Sequence, residues 1–289
     1  YYGKVPIYFA IKKSLNSVAA KFVTEINIDE FIEFLKNIFG DIRNDFEDRF
    51  KPYPSIALGA IEMSLLEIGS AYLAIANGGY KKNPYFIRKI ESSGNILYDY
   101  EKTNENRKDK ADKIKLFDSK YSDLILFLLK FTLEKGGTAY NAKILSNFLY
   151  QTFGKTGTTN NGRDSWFAGI TGKLVTVVWV GYDKGGGSQF LTGGTYAARL
   201  YFEYIKNIYQ FYLKYYDFKD SDLVFKSVNL NNIGIFLEEE NNIVTLPFDR
   251  ENYPYDLLEK SNNDENNIKT IDEINKDDKN LNKVNNQNN

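Results

Sequence analysis

The stretch 153-FGKTGTTNNGRDSWFAGITGKLVTVVWVGYD-183 decides the fold, because it contains the strongest hairpin signal in the chain. Two apolar runs, Trp166–Thr171 and Leu174–Gly181, flank a Gly172-Lys173 turn, which is the pattern of two antiparallel strands. Their continuous Val and Trp content predicts a central strand covered on both faces. Directly before this hairpin, residues 155–158 read Lys-Thr-Gly-Thr at the head of a predicted strand.

This tetrapeptide combines a cation with two hydroxyl groups. In an extended segment Thr156 and Thr158 point to the same face, and Gly157 between them lets a backbone or a ligand approach closely. Two hydroxyls, the Lys155 ammonium and free backbone N–H groups suit a ligand carboxylate. The tetrapeptide alone does not exclude the alternative, an exposed strand start with a solvated lysine.

Two residue types are absent from the 289-residue chain, and their absence limits its chemistry. Without cysteine, disulfides, thiolate catalysis and cysteine metal sites are excluded. Without histidine, Ser-His-Asp chemistry is excluded and a zinc site is disfavoured. A hydrolase or acyl transferase of this composition must therefore move protons with lysine, tyrosine or a carboxylate. The formal net charge of −1 gives no bulk electrostatic case for binding nucleic acid.

Hydrophobic periodicity predicts a mixed α/β chain with a polar end. From about residue 258 onward, Asn, Asp, Lys and Glu dominate, and this tail is predicted to be disordered. Residues 101–113 are predicted to be an exposed connection. The other predicted elements are helices within 5–39 (ending at Gly40), 61–76 and 118–135, a hairpin around Ser93-Gly94-Asn95, the hairpin at 166–181, an aromatic-rich helix over 196–215 and short strands over 223–248.

A second polar motif, Ser14-Leu15-Asn16, lies at a predicted helix break. A hydroxyl and an amide two residues apart can point into one cleft there, although an ordinary helix cap is the alternative. A third segment, Gly136-Gly137-Thr138-Ala139, indicates by itself only a helix stop and a turn. The order SxN, Gly-Thr turn, then KTG on a strand is that of active-site serine penicillin-recognising enzymes.

Longer segments carry a closer resemblance. Residues 54–100 (PSIALG…ILYDY) resemble the region between SxN and KTG in class A penicillin-binding proteins. Residues 153–183 and 191–205 (LTGGTYAARLYFEYI) resemble the strand-and-helix end of the same transpeptidase domain. The resemblance, to the type 1A-like members over roughly residues 1–250, implies an α/β penicillin-binding-protein/β-lactamase-like fold. In that fold an antiparallel sheet of about five strands is flanked by helices, and here it would be N-terminally incomplete.

The resemblance implies catalytic roles for three residues. Ser14 would relay a proton toward the leaving amine. Asn16 would hydrogen-bond the substrate amide and help to hold a lysine of the nucleophile motif. Lys155 would tune the local electrostatics and the position of Ser14.

It also implies a substrate-binding wall formed by Thr156, Gly157 and Thr158. The two threonine hydroxyls would bind the terminal carboxylate of a peptidoglycan D-Ala-D-Ala stem peptide or of a β-lactam. The backbone N–H of Thr158 would be one donor of the oxyanion hole. Metal ions and organic cofactors are not implied.

The family's nucleophile has no counterpart in this sequence. In the family, a serine of an SxxK motif attacks the D-Ala-D-Ala carbonyl and the motif's lysine takes its proton. No serine here has a lysine three positions later, and Ser17 with Lys21 is one residue too far. We expect the nucleophile, a glycosyltransferase domain and a membrane anchor upstream of Tyr1. The chain alone is expected not to acylate.

The expected domain plan follows from the resemblance: 1–220 as a transpeptidase domain lacking its SxxK part, 221–257 as a small β extension, and 258–289 as the tail. The site would face the periplasmic side of the cytoplasmic membrane. Its partners would be stem peptides, β-lactams and the missing N-terminal part of the same protein.

Three alternatives stay open at this point. A β-lactamase or D,D-carboxypeptidase also needs SxxK, and residues 54–100 resemble the class A synthases instead. A non-catalytic remnant or scaffold module of a split or decayed transpeptidase is the second. Nucleic-acid binding through the aromatics of 201–216 is the third, and it is disfavoured because their helical spacing indicates core packing.

Overall fold

A computed structural model describes residues 2–103, 114–212, 214–218, 221–237 and 242–254. The predicted disordered tail and most of the predicted connection at 101–113 lie outside these residues. By their contacts the residues fall into two compact units, one of Tyr1–Leu15 with Asp123–Asn289 and the other of Asn16–Ser122. In the parts of the chain that the structure describes, no helix is long and apolar enough to cross a bilayer.

The order of elements confirms a mixed α/β fold with antiparallel sheets. Strand β1 pairs with β2, β6 pairs with β7, and the remaining strands form a sheet of order β3-β4-β5. The helices are α1 (Ile7–Lys13), α2 (Asn16–Glu25), α3 (Ile28–Phe39), α4 (Phe46–Arg49), α5 (Leu65–Ala76), α6 (Tyr100–Thr103), α7 (Ser119–Lys130), α8 (Tyr140–Leu145) and α9 (Ala198–Ile208). The strands are β1 (Lys89–Ser92), β2 (Asn95–Asp99), β3 (Thr152–Thr158), β4 (Asp164–Thr171), β5 (Leu174–Gly181), β6 (Leu223–Asn229) and β7 (Ile243–Asp249).

In the unit Asn16–Ser122, a capping box sets the start of α5. The helix begins at Leu65, four residues later than predicted, because Ser64 and Glu67 satisfy each other's backbone N–H groups. The N–H of Ser64 donates to the Glu67 carboxylate at 2.8 Å. The Arg49 guanidinium also donates to this fully buried carboxylate, at 2.5 Å. The predicted hairpin around Ser93 is confirmed by β1 and β2.

In the other unit, β4 is the central strand of the sheet and β5 is an edge. Phe167 and Ile170 of β4 are fully buried, whereas every residue of β5 is only partly buried. The prediction of a central strand covered on both faces is therefore correct for β4. Strand β5, at the edge of the sheet among the described residues, is partly buried on both faces. Within the described residues this sheet has three strands.

Helix α9 covers the sheet with one aromatic face. Ala198, Tyr201, Phe202 and Ile205 are fully buried, and the Tyr201 and Phe167 rings meet edge-on with centroids 4.7 Å apart. The helix is shorter than the predicted 196–215, because a π turn at Gly193–Ala197 precedes it and a 3-10 turn at Tyr209–Phe211 follows it. The core packing expected for this aromatic segment applies to part of it, since Tyr209 is also buried whereas Tyr204, Phe211 and Tyr212 are exposed.

A buried chain of hydroxyl groups joins α9 to two strands. Tyr201 Oη lies 2.7 Å from Thr171 Oγ1 on β4, which lies 2.9 Å from Thr152 Oγ1 on β3. Gly169 makes this approach possible, because a Cβ atom there would lie 2.5 Å from the Tyr201 ring. The chain satisfies polar groups that burial would otherwise leave unpaired.

Replacing Tyr201 by phenylalanine removes one end of this chain and leaves Thr171 one partner fewer. We expect the free energy of unfolding to fall by about 1–2 kcal/mol. Tyr204→Phe, on the exposed face of the same helix, is the matched control and should change it by less than about 0.5 kcal/mol. Urea unfolding followed by tryptophan fluorescence measures this unit, because Trp166 and Trp179 lie in its sheet. Equal effects of the two substitutions would contradict the prediction.

Candidate functional site

Ser14 ends α1 in the left-handed conformation, with φ 55° and ψ 52°. The N–H of Leu15 donates to the carbonyl of Ala10 at 2.9 Å, which closes the helix end. A residue with a side chain adopts this conformation at a cost of roughly 1 kcal/mol. Such positions persist where the surroundings hold them, and they cluster at functional sites. The predicted helix break at this motif is confirmed.

Packing of α1 carries Ser14 to the edge of the sheet. Tyr8 of α1 is buried against Phe131 with ring centroids 4.7 Å apart. Thr132, the next residue in the 3-10 turn Phe131–Leu133, donates its hydroxyl to the carbonyl of Gly154 on β3 at 2.6 Å. The helix, the turn and the strand are thus joined in series beside the Lys-Thr-Gly-Thr segment.

Lys155 makes the contact that joins two distant motifs. Its Nζ atom donates to Ser14 Oγ at 2.6 Å, across 141 residues of sequence, and to the carbonyl of Thr156 at 3.0 Å. In the described parts of the chain, no carboxylate lies within ion-pair distance of this ammonium. Burial lowers the pKa of Lys155 to about 8. Among the residues that the structure describes, this partly buried cation therefore has no counter-ion.

The outer edge of β3 presents the backbone groups of alternate residues. The carbonyls of Gly154 and Thr156 accept hydrogen bonds from side chains and not from β4: the Thr132 hydroxyl donates to Gly154, and the Lys155 ammonium donates to Thr156. The N–H of Thr159 instead donates to Asp164 across the β3–β4 turn. Since the N–H and C=O of one residue point to the same side of an antiparallel strand, the N–H of Thr158 is directed outward, away from β4. This direction is compatible with its predicted role as a donor to a ligand.

Each threonine hydroxyl of the motif is held by a group from another segment. Thr156 donates its hydroxyl to Thr138 Oγ1 at 2.8 Å. The N–H of Gly193, at the start of the π turn, donates to Thr158 Oγ1 at 2.8 Å. The two hydroxyls are therefore fixed in position before any ligand is present.

Glycine is required where the π turn meets β3. A Cβ atom on Gly193 would lie 2.6 Å from the carbonyl oxygen of Gly157. The turn itself is held by the fully buried Ser165, whose hydroxyl donates to the carbonyl of Thr192 at 2.7 Å and accepts from the N–H of Ala197 at 3.1 Å. A Cβ atom on Gly157 would meet the Trp166 side chain at 3.1 Å, so the predicted close approach beside Gly157 is made by that side chain.

The structure brings most of the predicted residues together and adds two others. Ser14 meets Lys155, and the neighbouring threonines are held as described above. Asn16 is exposed and opens α2 in the other unit, so its role stays a prediction. Thr138 and Gly193 were not predicted to bind or position anything. The sequence carries two signals for them, the place of the Gly-Thr turn in the family's motif order and a repeated Gly-Gly-Thr at 136–138 and at 193–195.

The low pKa of Lys155 predicts a pH-dependent stability. A lysine with a pKa of 10.5 when unfolded and about 8 when folded binds fewer protons in the folded state between these values. Its destabilising effect is therefore complete below pH 8, and stability rises as the pH increases from 8 toward 10.5. In Lys155→Met this rise should disappear, whereas the exposed Lys184→Met control should retain it. Urea unfolding at several pH values measures the difference, and parallel curves for wild type and Lys155→Met would refute it.

Two curated relatives show similarity over most of this chain. It is 30% identical to penicillin-binding protein 1A of Aquifex aeolicus over 213 residues, which are 73% of this chain and 27% of that protein. It is 31% identical to penicillin-binding protein 1B of Vibrio cholerae over 208 residues, 71% of this chain and 24% of that protein. The chain therefore spans about a quarter of the length of these relatives.

Solved structures show the same fold. Penicillin-binding protein 1A from Haemophilus influenzae superimposes with a TM-score of 0.69 at 22% identity, over 85% of this chain and 40% of that one. A D,D-transpeptidase domain of a peptidoglycan glycosyltransferase from Eggerthella lenta gives 0.50 at 18% identity, over 71% of this chain and 54% of that one. These similarities confirm the predicted transpeptidase fold class.

The family model described as the penicillin-binding protein transpeptidase domain matches residues 3–201, well over half of the chain. This range includes the Ser14 motif, the Lys155 motif and the first Gly-Gly-Thr turn. The resemblance to class A members is confirmed by the relatives as well. The chain belongs to the penicillin-binding protein transpeptidase family.

Proposed function

We propose that this chain supplies the carboxylate-binding and proton-relay wall of a peptidoglycan D,D-transpeptidase, which cross-links stem peptides by acyl transfer from D-Ala-D-Ala. The 2.6 Å contact between Lys155 Nζ and Ser14 Oγ carries the proposal. It unites the two motifs that the sequence places far apart. The names of the relatives, which are penicillin-binding proteins, support β-lactams as ligands of the same wall.

The wall suits a substrate that ends in a carboxylate. Lys155 provides positive charge without a competing carboxylate among the described residues. Thr156 and Thr158 provide two hydroxyl groups that lie two residues apart on the same face of β3. A stem peptide laid in extended form along the free edge of β3 would pair with its outward backbone groups. The scissile carbonyl oxygen would then accept from the N–H of Thr158.

Proton transfer follows from the contact of Ser14 with Lys155. The nucleophilic serine, contributed by an SxxK motif outside this sequence, gives its proton to the lysine of that motif and forms an ester with the penultimate D-Ala as the C–N bond breaks. The leaving amine takes the proton of Ser14, and the Lys155 ammonium replaces it. A lysine with a pKa near 8 suits this exchange near neutral pH. An acceptor amine then attacks the ester, and its proton passes through Ser14 back to Lys155. The serine leaves with the proton of the SxxK lysine, while Asn16 hydrogen-bonds the substrate amide.

The parts of the protein outside this region are proposed from the resemblance to class A penicillin-binding proteins. A glycosyltransferase domain and a membrane anchor would precede this region, and the site would face the periplasmic side of the cytoplasmic membrane. Within the region, 1–220 would be the transpeptidase part and 221–257 a β extension. Water in place of the acceptor amine would give D,D-carboxypeptidase activity. A non-catalytic scaffold module of a split or decayed transpeptidase is the second candidate, and penicillin labelling distinguishes the two.

Labelling with a fluorescent penicillin tests the proposal on the protein isolated from the cells that produce it. Protein captured with an antibody to this chain should carry a label that survives denaturation. Replacing Lys155 by alanine should slow labelling about 100-fold, because a reaction rate falls by about this factor when a proton-relay group is out of position. Lys184→Ala, an exposed lysine of the same unit, should have no effect.

The isolated 289-residue chain is the second arm of the experiment. Because it has no SxxK serine, it should form no covalent adduct. A captured protein that never becomes labelled would support the scaffold module. A label on the isolated chain would show that a different residue is the nucleophile.

A further inference from the structure

Thr138 holds the hydroxyl of Thr156 from outside the strand. Their Oγ1 atoms are 2.8 Å apart, with Thr156 as the donor. Both residues are partly buried. Thr138 belongs to the Gly-Gly-Thr turn between the 3-10 turn Phe131–Leu133 and α8. The predicted roles of the motif residues leave this contact unexplained.

The backbone around Thr138 fixes the position of its side chain. The N–H of Ala139 donates to the carbonyl of Thr132 at 2.9 Å. A Cβ atom on Gly137 would lie 2.3 Å from that same carbonyl oxygen, and one on Gly194 would lie 2.2 Å from the carbonyl oxygen of Thr138. Backbone atoms of two segments thus enclose the turn. They hold the Thr138 hydroxyl in a defined position beside β3.

Each threonine hydroxyl has only one proton to donate, and this limits how the contact between Thr156 and Thr138 can change when a carboxylate binds. A threonine hydroxyl donates one hydrogen bond and accepts two. In the structure the proton of Thr156 goes to Thr138, so it is not available to a ligand. Thr158 differs, because it accepts from the N–H of Gly193 and its own proton remains for a ligand.

We propose that Thr138 is a positioning residue for the substrate carboxylate, and this inference rests on the proposed function. When the carboxylate arrives, the bond between the two hydroxyls reverses: Thr138 donates to Thr156 Oγ1, and Thr156 donates to the carboxylate. Thr138 then does for Thr156 what the N–H of Gly193 does for Thr158. Each donor behind a hydroxyl polarises it and strengthens its bond to the anion.

Binding of a small peptide to the 289-residue chain tests this proposal. The threonines, Gly193 and Lys155 all belong to one compact unit of the chain. Because the test measures binding and not acylation, it does not require the nucleophile. The probes are N-acetyl-D-Ala-D-Ala and its C-terminal amide, which lacks the carboxylate charge. Titrations followed by ¹H–¹⁵N NMR spectra give the dissociation constants and show whether each variant keeps the native fold.

We expect Thr138→Val, which keeps the shape and removes the hydroxyl, to weaken binding of the acid about five- to tenfold, the worth of one hydrogen bond. Binding of the amide should change less than twofold. Thr138→Ser should restore binding of the acid. Thr176→Val, on the opposite edge strand β5, is the matched control and should bind as wild type does. If Thr138→Val loses the native spectrum, Thr138→Ala replaces it with the same expectation.

The outcomes separate this inference from the proposed function. If wild type prefers the acid and Thr138→Val binds it equally well, the role of Thr138 is refuted and the carboxylate site stands. If Thr138→Val weakens binding of the acid and of the amide equally, Thr138 only supports the fold and the inference is again refuted. If wild type does not prefer the acid, the carboxylate site itself is refuted, and the inference with it.

Discussion

The site depends on a partly buried ammonium group that has a hydroxyl beside it and no carboxylate within reach among the described residues. Removing a lysine from water disfavours its charge and lowers the pKa of Lys155 to about 8. A neighbouring carboxylate would restore the charge but would also occupy the place of an anionic ligand. A hydroxyl oxygen accepts a hydrogen bond from the ammonium group without neutralising its charge. Ser14 therefore keeps the lysine oriented and leaves it able to attract an anion.

This arrangement requires several backbone segments to approach β3 more closely than side chains would allow. Gly193 and Gly194 lie against β3 and the Thr138 turn at distances where a Cβ atom would overlap carbonyl oxygens. Gly154 has a similar restriction, since a Cβ atom there would lie 2.6 Å from the Phe167 ring. Such glycines lose more backbone entropy on folding than other residues do. Burial of the aromatic face of α9 against Phe167 offsets that loss and holds the π turn in place.

Local patterns in the sequence predicted the elements but not their surroundings. The hairpin at Gly172, the hairpin at Ser93 and the helix break at Ser14 were predictable because each depends on neighbouring residues. The position of β5 at the edge of the described sheet was not predictable, because the position of a strand in a sheet depends on distant partners. The contact between Ser14 and Lys155 came from the family resemblance, since no local rule joins residues so far apart. Thr138 was missed for the same reason, because its turn has the composition of an ordinary helix stop.

The threonines show why the wall acts as a unit. A hydroxyl that is free to rotate would have to be ordered when the ligand binds, and that ordering would reduce affinity. Here the oxygen atoms of Thr156 and Thr158 already lie 2.8 Å from Thr138 and from the N–H of Gly193. The positions of these oxygen atoms are set during folding, so the proposed reversal moves only hydroxyl protons. Groups that are positioned in advance lower the ordering cost of binding, and in this chain they are positioned by hydrogen bonds between segments that only the complete fold brings together.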